Sequence, residues 1–221
     1  WNALDNAIYS YLNTWIQSQR LWQNFWAIMS HSSMDWVNDV IMILFFAIGF
    51  KKTYNKDRFH IISEIIFSAI FITLTILCVN YFIFSKILSY QRMSPTVFFE
   101  NSFKLSQCVS WIQVKDRSFV CFPGDHGTLI MLFVCIIYYL RGLKQGLFAS
   151  IYAAFFCLPR LIAGAHWLTD IMVGSCSISL LATGLAFGTP CANMCISKVK
   201  IIIEYIWSKI DDQLPGKIRN P

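Results

Sequence analysis

Apolar residues fall into five runs along the chain, each bounded by charge: Trp36 to Phe50, His60 to Phe84, Thr128 to Leu140, Gly146 to Ala163 and Ile171 to Phe187. A helix needs about 20 residues to cross the hydrocarbon core of a bilayer, or about 17 at the short end. The second run meets that length, while the first and third must recruit their flanks. The pattern predicts an all-α integral membrane protein, one domain over 1–221, with five visible spans. After the last run, Val199, Ile202, Ile203, Ile206 and Ile210 share one helical face, and Lys200, Glu204, Ser208 and Asp211 share the other. That alternation predicts an interfacial helix over 191–217 on the inner surface, ended by Pro215 and Gly216. Residues 1–35 hold Trp1, Trp15, Trp22 and Trp26, with Trp36 just beyond, so this segment is expected at the headgroup level of the other surface.

Composition agrees with burial in lipid. Hydrophobic residues make up 56% and charged residues 14% of the 221, where a soluble domain carries about 25% charged residues. The net charge of +6 is unevenly placed. Lys51, Lys52, Lys56 and Arg58 follow the first run, Arg141 and Lys144 lie between the third and fourth, and Lys198, Lys200, Lys209, Lys217 and Arg219 follow the fifth. If the spans alternate, these eleven of the 18 basic residues share one side, which the positive-inside rule makes cytoplasmic. The opposite side receives residues 1–35, the long loop 85–127 and the turn near 164–170. Arg20, Lys86, Arg92, Lys104, Lys115, Arg117 and Arg160 reach it against the rule, and an anionic substrate is expected to offset their charge. Six of the eight cysteines lie in or beside apolar runs. Cys108 and Cys121 share the polar loop and are expected to form a disulfide if it faces an oxidising compartment.

Three groups of residues carry candidate chemistry. His166 and Asp170 are four apart, so on a helix both project from one face. A carboxylate accepting from one imidazole nitrogen leaves the other free to attack. Arg160, six residues earlier, offers a planar fork suited to phosphate oxygens. Phe122-Pro123-Gly124-Asp125-His126-Gly127 places a histidine at a helix start, where backbone amides can face an anion and the imidazole can protonate a leaving oxygen. Arg92-Met93-Ser94-Pro95, with Lys86 upstream, is the third and weakest. Each has a bland reading: a snorkelling arginine, a capped turn, a solvated loop.

Taken together in this order over residues 86–170, the three groups resemble the type 2 phosphatidic acid phosphatase superfamily. Its Arg-x5-His-x3-Asp motif is matched in full by Arg160, His166 and Asp170. Its Pro-Ser-Gly-His motif is altered, with Gly124 and Asp125 replacing Ser and Gly, and its basic first motif is altered around Arg92. Phe-Pro-Gly-Asp-His-Gly, Arg-x-Ser-Pro-Thr and the Leu214-Pro215-Gly216-Lys217 tail are similar to a six-span branch of Gram-negative inner membranes. That branch moves the distal phosphate of undecaprenyl diphosphate onto the 1-phosphate of lipid A in the periplasm. The resemblance implies one further helix ahead of Trp1 and a multi-pass location with the site facing the periplasm. It implies His166 as the nucleophile that forms a phosphohistidine, Asp170 as its partner and His126 as the acid and base. Arg92 and Arg160 would hold phosphate oxygens with the Gly124 and Asp125 amides, and Lys86 and Arg117 would meet the diphosphate or the second lipid. It implies no cofactor, no metal and no nucleic-acid partner, only lipid phosphates and membrane lipids. A hydrolase of undecaprenyl diphosphate, lipid A or phosphatidate with the same site is the alternative.

Overall fold

A computed structural model describes residues 2–52 and 58–213, with side chains described at 2–46 and 58–211. Lys51, Lys52, Lys56, Lys217, Arg219 and the 214–217 tail therefore lie outside the described side chains. All five apolar runs form helices. Helix α1 (Asn2–Gln17) and α2 (Arg20–Met29) precede α3 (Ser33–Lys52). Helix α4 (Arg58–Thr75) runs on into a π-helical segment, Ile76–Ile87. Two single turns, α5 (Pro95–Phe98) and α6 (Leu105–Cys108), sit in the long loop. Helices α7 (Asp125–Arg141) and α8 (Leu143–Ile162) follow, then a short π-helical turn, Asp170–Ser175, that continues as α9 (Cys176–Phe187), and finally α10 (Cys191–Gln213). Three of these stretches are long and apolar enough to cross a bilayer among the described residues: Arg58–Ile87, Leu143–Ile162 and Asp170–Phe187. Helix α7 has 17 residues, at the short limit.

Helix α7 is the centre of the bundle. It is apolar on all sides and packs against α8, α9 and α4, burying Ile130, Leu132, Phe133, Ile136 and Ile137. Its contact with α8 is close because α8 presents small residues at helical spacing, Gly146, Ala149, Ala153 and Cys157, which let two helices approach where lipid supplies no hydrophobic drive. A Cβ on Gly146 would overlap the Tyr138 ring. The outer faces stay apolar, with Leu77, Ile151, Leu180, Leu181 and Leu185 exposed, as a lipid-facing surface requires. Phe67 and Phe71 meet Phe187 at the far end, and α10 continues along α4 there, with Trp207 against Phe59 at 6.0 Å.

The charged ends differ in kind. At the α7 C-terminus, Arg141 pairs with buried Glu64 at 2.7 Å, and His60 lies 3.2 Å from the same carboxylate. At the opposite end converge the starts of α3, α7 and the last span, the ends of α8 and the π-helical segment, and α1, which packs on α8. The α1 stripe Asp5, Tyr9, Asn13 and Ile16 is buried at helical spacing and faces inward. Trp15, Trp22 and Phe25 form an aromatic edge beside it.

Candidate active site

Three loop connections bring the distant motifs together. The carbonyl of Arg160 accepts from both the Ala165 and His166 amides, at 3.0 and 3.3 Å, so the chain folds back just after α8. Gly164 takes φ +75 in this turn, a conformation that favours glycine. The extended stretches around Arg92 and Cys121 pair through Cys121 N–H to Arg92 O at 2.8 Å and Ser94 N–H to Ser118 O at 2.9 Å. Pro123 and Gly124 then lead into α7, and a Cβ on Gly124 would stand 3.1 Å from His166 Cε1. The backbone of the second motif thus touches the imidazole of the third.

His166 and His126 line one cavity of about 420 Å³. Its polar wall includes Asn80, Ser85, Ser118 and Asp125, and its apolar wall Ile76, Leu77, Tyr81 and Phe122. His166 Nδ1 lies 2.8 Å from the Cys121 carbonyl oxygen. A carbonyl only accepts, so Nδ1 carries the proton, and in the neutral ring Nε2 keeps its lone pair. Asp170 is not the hydrogen-bond partner expected for His166. Its Oδ2 is 3.7 Å from Nδ1 and accepts instead from the Trp167 amide at 2.8 Å. The carbonyl is nearer, and Asp170 acts on the ring as a nearby charge.

The two arginines also differ from expectation. Arg92 donates to Asp170 at 2.5 Å, to Asp5 at 2.6 Å and to Thr169 at 2.9 Å, and lies over the Trp167 ring at 5.4 Å. Burial opposes its charge, and the Asp170 and Asp5 carboxylates outweigh burial, holding its pKa above the usual arginine value. It borders a different cavity, of about 260 Å³, with Asn2, Asn6 and Gln91. Arg160, 6% exposed, donates to the Ser30 carbonyl and to Asp35, both at 2.9 Å, and its Nη2 is 3.4 Å from His126 Nε2. Neither guanidinium is open to the cavity, because a cation so close to hydrocarbon takes a carboxylate partner. Four of the seven basic residues expected on this side therefore meet carboxylates within the protein itself: Asp5 and Asp170 answer Arg92, Asp35 answers Arg160 and Lys115, and Asp116 lies 3.9 Å from Arg117.

The remaining predicted residues fall at the edge or apart. Asp125 accepts from Asn80 at 3.0 Å, not from an arginine, and both line the cavity. Lys86 lies over Tyr81 at 5.3 Å, beside the cavity wall that Tyr81 forms. Arg117 is 64% exposed and turned to Asp116. The expected bridge between Cys108 and Cys121 is not formed. Cys108 is exposed at the end of α6, whereas Cys121 is fully buried with Tyr9 and Trp167, and both are free thiols. Burial and the nearby Asp170 push the Cys121 thiol strongly up, so it stays protonated. Among the described residues, no three or more His, Cys, Asp or Glu side chains converge to hold a metal ion.

Residues 70–190, more than half the chain, match the PAP2 superfamily. The chain belongs to the PAP2 superfamily. It is also 35% identical over 127 residues to lipid A 1-diphosphate synthase of Escherichia coli (strain K12), a match covering 58% of this chain and 48% of that protein. The match thus spans about half the length of that relative. No solved structure matches the chain. The PAP2 segment holds Asn80, Arg92, His126, Arg160, His166 and Asp170. Asp5 and Asp35 stand outside it, on α1 and α3, yet each closes an ion pair with a motif residue. Sequence reading passed them over because neither belongs to a motif. The available signal was their position, since a carboxylate beside an apolar helix is costly and needs a partner.

Proposed function

We propose that this PAP2 protein is a phosphotransferase that moves the distal phosphate of undecaprenyl diphosphate to the 1-phosphate of lipid A. The reaction runs through a phosphohistidine at His166, at the periplasmic face of a bacterial inner membrane. The observation that carries the reading is the 2.8 Å contact of His166 Nδ1 with the Cys121 carbonyl, which in the neutral ring leaves Nε2 as the nucleophilic nitrogen, beside a cavity shared with His126. The cavity's two walls suit an amphiphile, with an apolar side toward the π-helical segment and a polar side at the start of α7. The orientation rests on Arg58, Arg141 and Lys144, which lie at the bundle end opposite the two histidines.

In the first half-reaction Nε2 attacks the terminal phosphorus, and the bond to the bridging oxygen breaks. His126 gives a proton to that oxygen as undecaprenyl phosphate leaves. Asp170 stabilises the positive imidazole ring by charge, itself held by Arg92 and the Trp167 amide. Arg160 adds positive charge beside His126. The open amides at the α7 N-terminus supply anion-directed donors. In the second half-reaction a phosphate oxygen of lipid A attacks the phosphohistidine, the P–N bond breaks, and His166 returns to its starting form.

The test is incubation of the purified full chain with donor labelled in its distal phosphate, with and without lipid A. Label in lipid A is expected, together with a labelled protein intermediate lost in His166→Ala. Free phosphate alone in both incubations would replace transfer by hydrolysis. Wild-type turnover by His166→Ala would remove the whole mechanism.

A further inference from the structure

The first turn of α3 places a carboxylate where none of the three motifs puts one. Asp35 Oδ1 lies 3.3 Å from His126 Nε2 and 2.9 Å from Arg160 Nη2, and its Oδ2 lies 3.1 Å from Lys115 Nζ. Two nitrogens thus converge on one oxygen. Arg160 Nη2 is also 3.4 Å from His126 Nε2, a longer contact than either makes to Asp35. We propose that Asp35 is the positioning residue for His126, accepting from its Nε2–H so that Nδ1 is the nitrogen that passes a proton to and from the substrate. This rests on the reading of His126 as general acid and base.

The charge balance around His126 supports the assignment. Burial first, then Arg160 beside the ring and Lys115 on the far oxygen of Asp35, disfavour the imidazolium that a general acid must become. Asp35 answers both cations with one carboxylate, so the doubly protonated ring sits beside a net charge near +1 instead of +2. The fixed Nε2–H···Asp35 contact also removes the choice of tautomer. In the first half-reaction the Nδ1 proton goes to the bridging oxygen as the P–O electron pair moves onto it. His126 is left neutral, with Nε2–H still on Asp35 and Nδ1 ready to take a proton from an acceptor phosphate. Asp35 itself gains and loses no proton.

The experiment uses the full-length protein in detergent and reads the burst of leaving group in the first half-reaction, with two donors. Undecaprenyl diphosphate has a leaving group that benefits from protonation. An aryl phosphate whose phenol is far more acidic than a phosphate monoester, such as 2,4-dinitrophenyl phosphate, has one that leaves without it. Asp35→Asn should lose about 10- to 100-fold in burst rate on the diphosphate, and at least ten times less on the aryl phosphate. Asp35→Glu, which restores the carboxylate one methylene further out, should recover most of the diphosphate rate. Equal losses on both donors, or no loss on either, would overturn the assignment, because a merely structural residue does not discriminate leaving groups. If Asp35→Asn is not recovered folded, the Asp35→Glu donor comparison decides: a loss larger on the diphosphate supports the role, and a uniform one rejects it. His166→Ala, run in parallel, isolates the underlying reading. A burst surviving there would refute the phosphohistidine mechanism and not the Asp35 role alone.

Discussion

Removing the carboxylate of Asp5 tests whether α1 is part of the site's framework. Asp5 is 1% exposed, and Arg92 is 20% exposed and shared between Asp5 and Asp170. Asp5 also accepts from the Thr169 amide at 3.1 Å and from the Thr169 hydroxyl. Breaking one side of a buried ion pair costs about 3–5 kcal/mol when the stranded charge has no alternative. Arg92 keeps Asp170 when Asp5 is lost, so Asp5→Ala should cost less, about 2 kcal/mol. Arg92→Ala strands two buried carboxylates and should cost more, about 3–5 kcal/mol. In Asp5→Ala protein the same Arg92 change strands only Asp170. The double variant should therefore be more stable than the sum of the singles by about 1–3 kcal/mol. Equilibrium unfolding in mixed detergent micelles, followed by circular dichroism, measures all three. Additivity within about 0.5 kcal/mol would show that Asp5 and Arg92 are not coupled and would refute the three-way pairing.

Two further predictions concern the approach of backbone to imidazole and the loop thiols. Gly124→Ala puts a Cβ 3.1 Å from His166 Cε1 and 3.2 Å from Nδ1, so the ring must give by a few tenths of an ångström. Turnover should fall about tenfold with little change in unfolding, since small misplacements of a reacting group are costly; an unaltered rate would mean that this contact does not set the ring's position. For the thiols, a water-soluble maleimide should label exposed Cys108 in the folded protein and spare buried Cys121 until unfolding. A non-reducing digest joining the two would contradict this.

The bundle and the two histidines were legible in the sequence because each rests on a local rule. Apolar run length predicts a span, and all five runs are helical. The Arg160-x5-His166 spacing encodes a tight turn, closed by two amides on one carbonyl. What the sequence could not convey was the pairing between distant elements. The i,i+4 spacing of His166 and Asp170 predicted a hydrogen bond, but the Cys121 carbonyl, 45 residues away, lies nearer to Nδ1. His166 lies in the bend ahead of the helix that Asp170 opens, so the helical rule did not apply and a tertiary contact took its place. The same holds for Cys121, whose place in a polar loop suggested a partner thiol, while folding buried it against Tyr9 and Trp167. The π-helical continuation of α4 gave no sequence signal either, and it carries Asn80 to Asp125 and Thr128.

The placement of the arginines follows from the same balance of charge. A guanidinium at the membrane boundary is stable only with a counter-ion, and a protein waiting for substrate must supply its own. Asp5 and Asp35 do so from helices outside the PAP2 segment, so α1 and α3 are bound to the motif residues through ion pairs. On the proposed reading, an incoming diphosphate would meet a cavity whose neighbouring cations are already neutralised in part. On this account the acidic residues of α1 and α3 do not compete with substrate: Asp5 helps hold Arg92, and Asp35 sets the tautomer of His126, while the Cys121 carbonyl sets that of His166. That division of labour predicts that the charge-neutral variants of Asp5 and Asp35 fail in different ways, the first in stability and the second in leaving-group dependence.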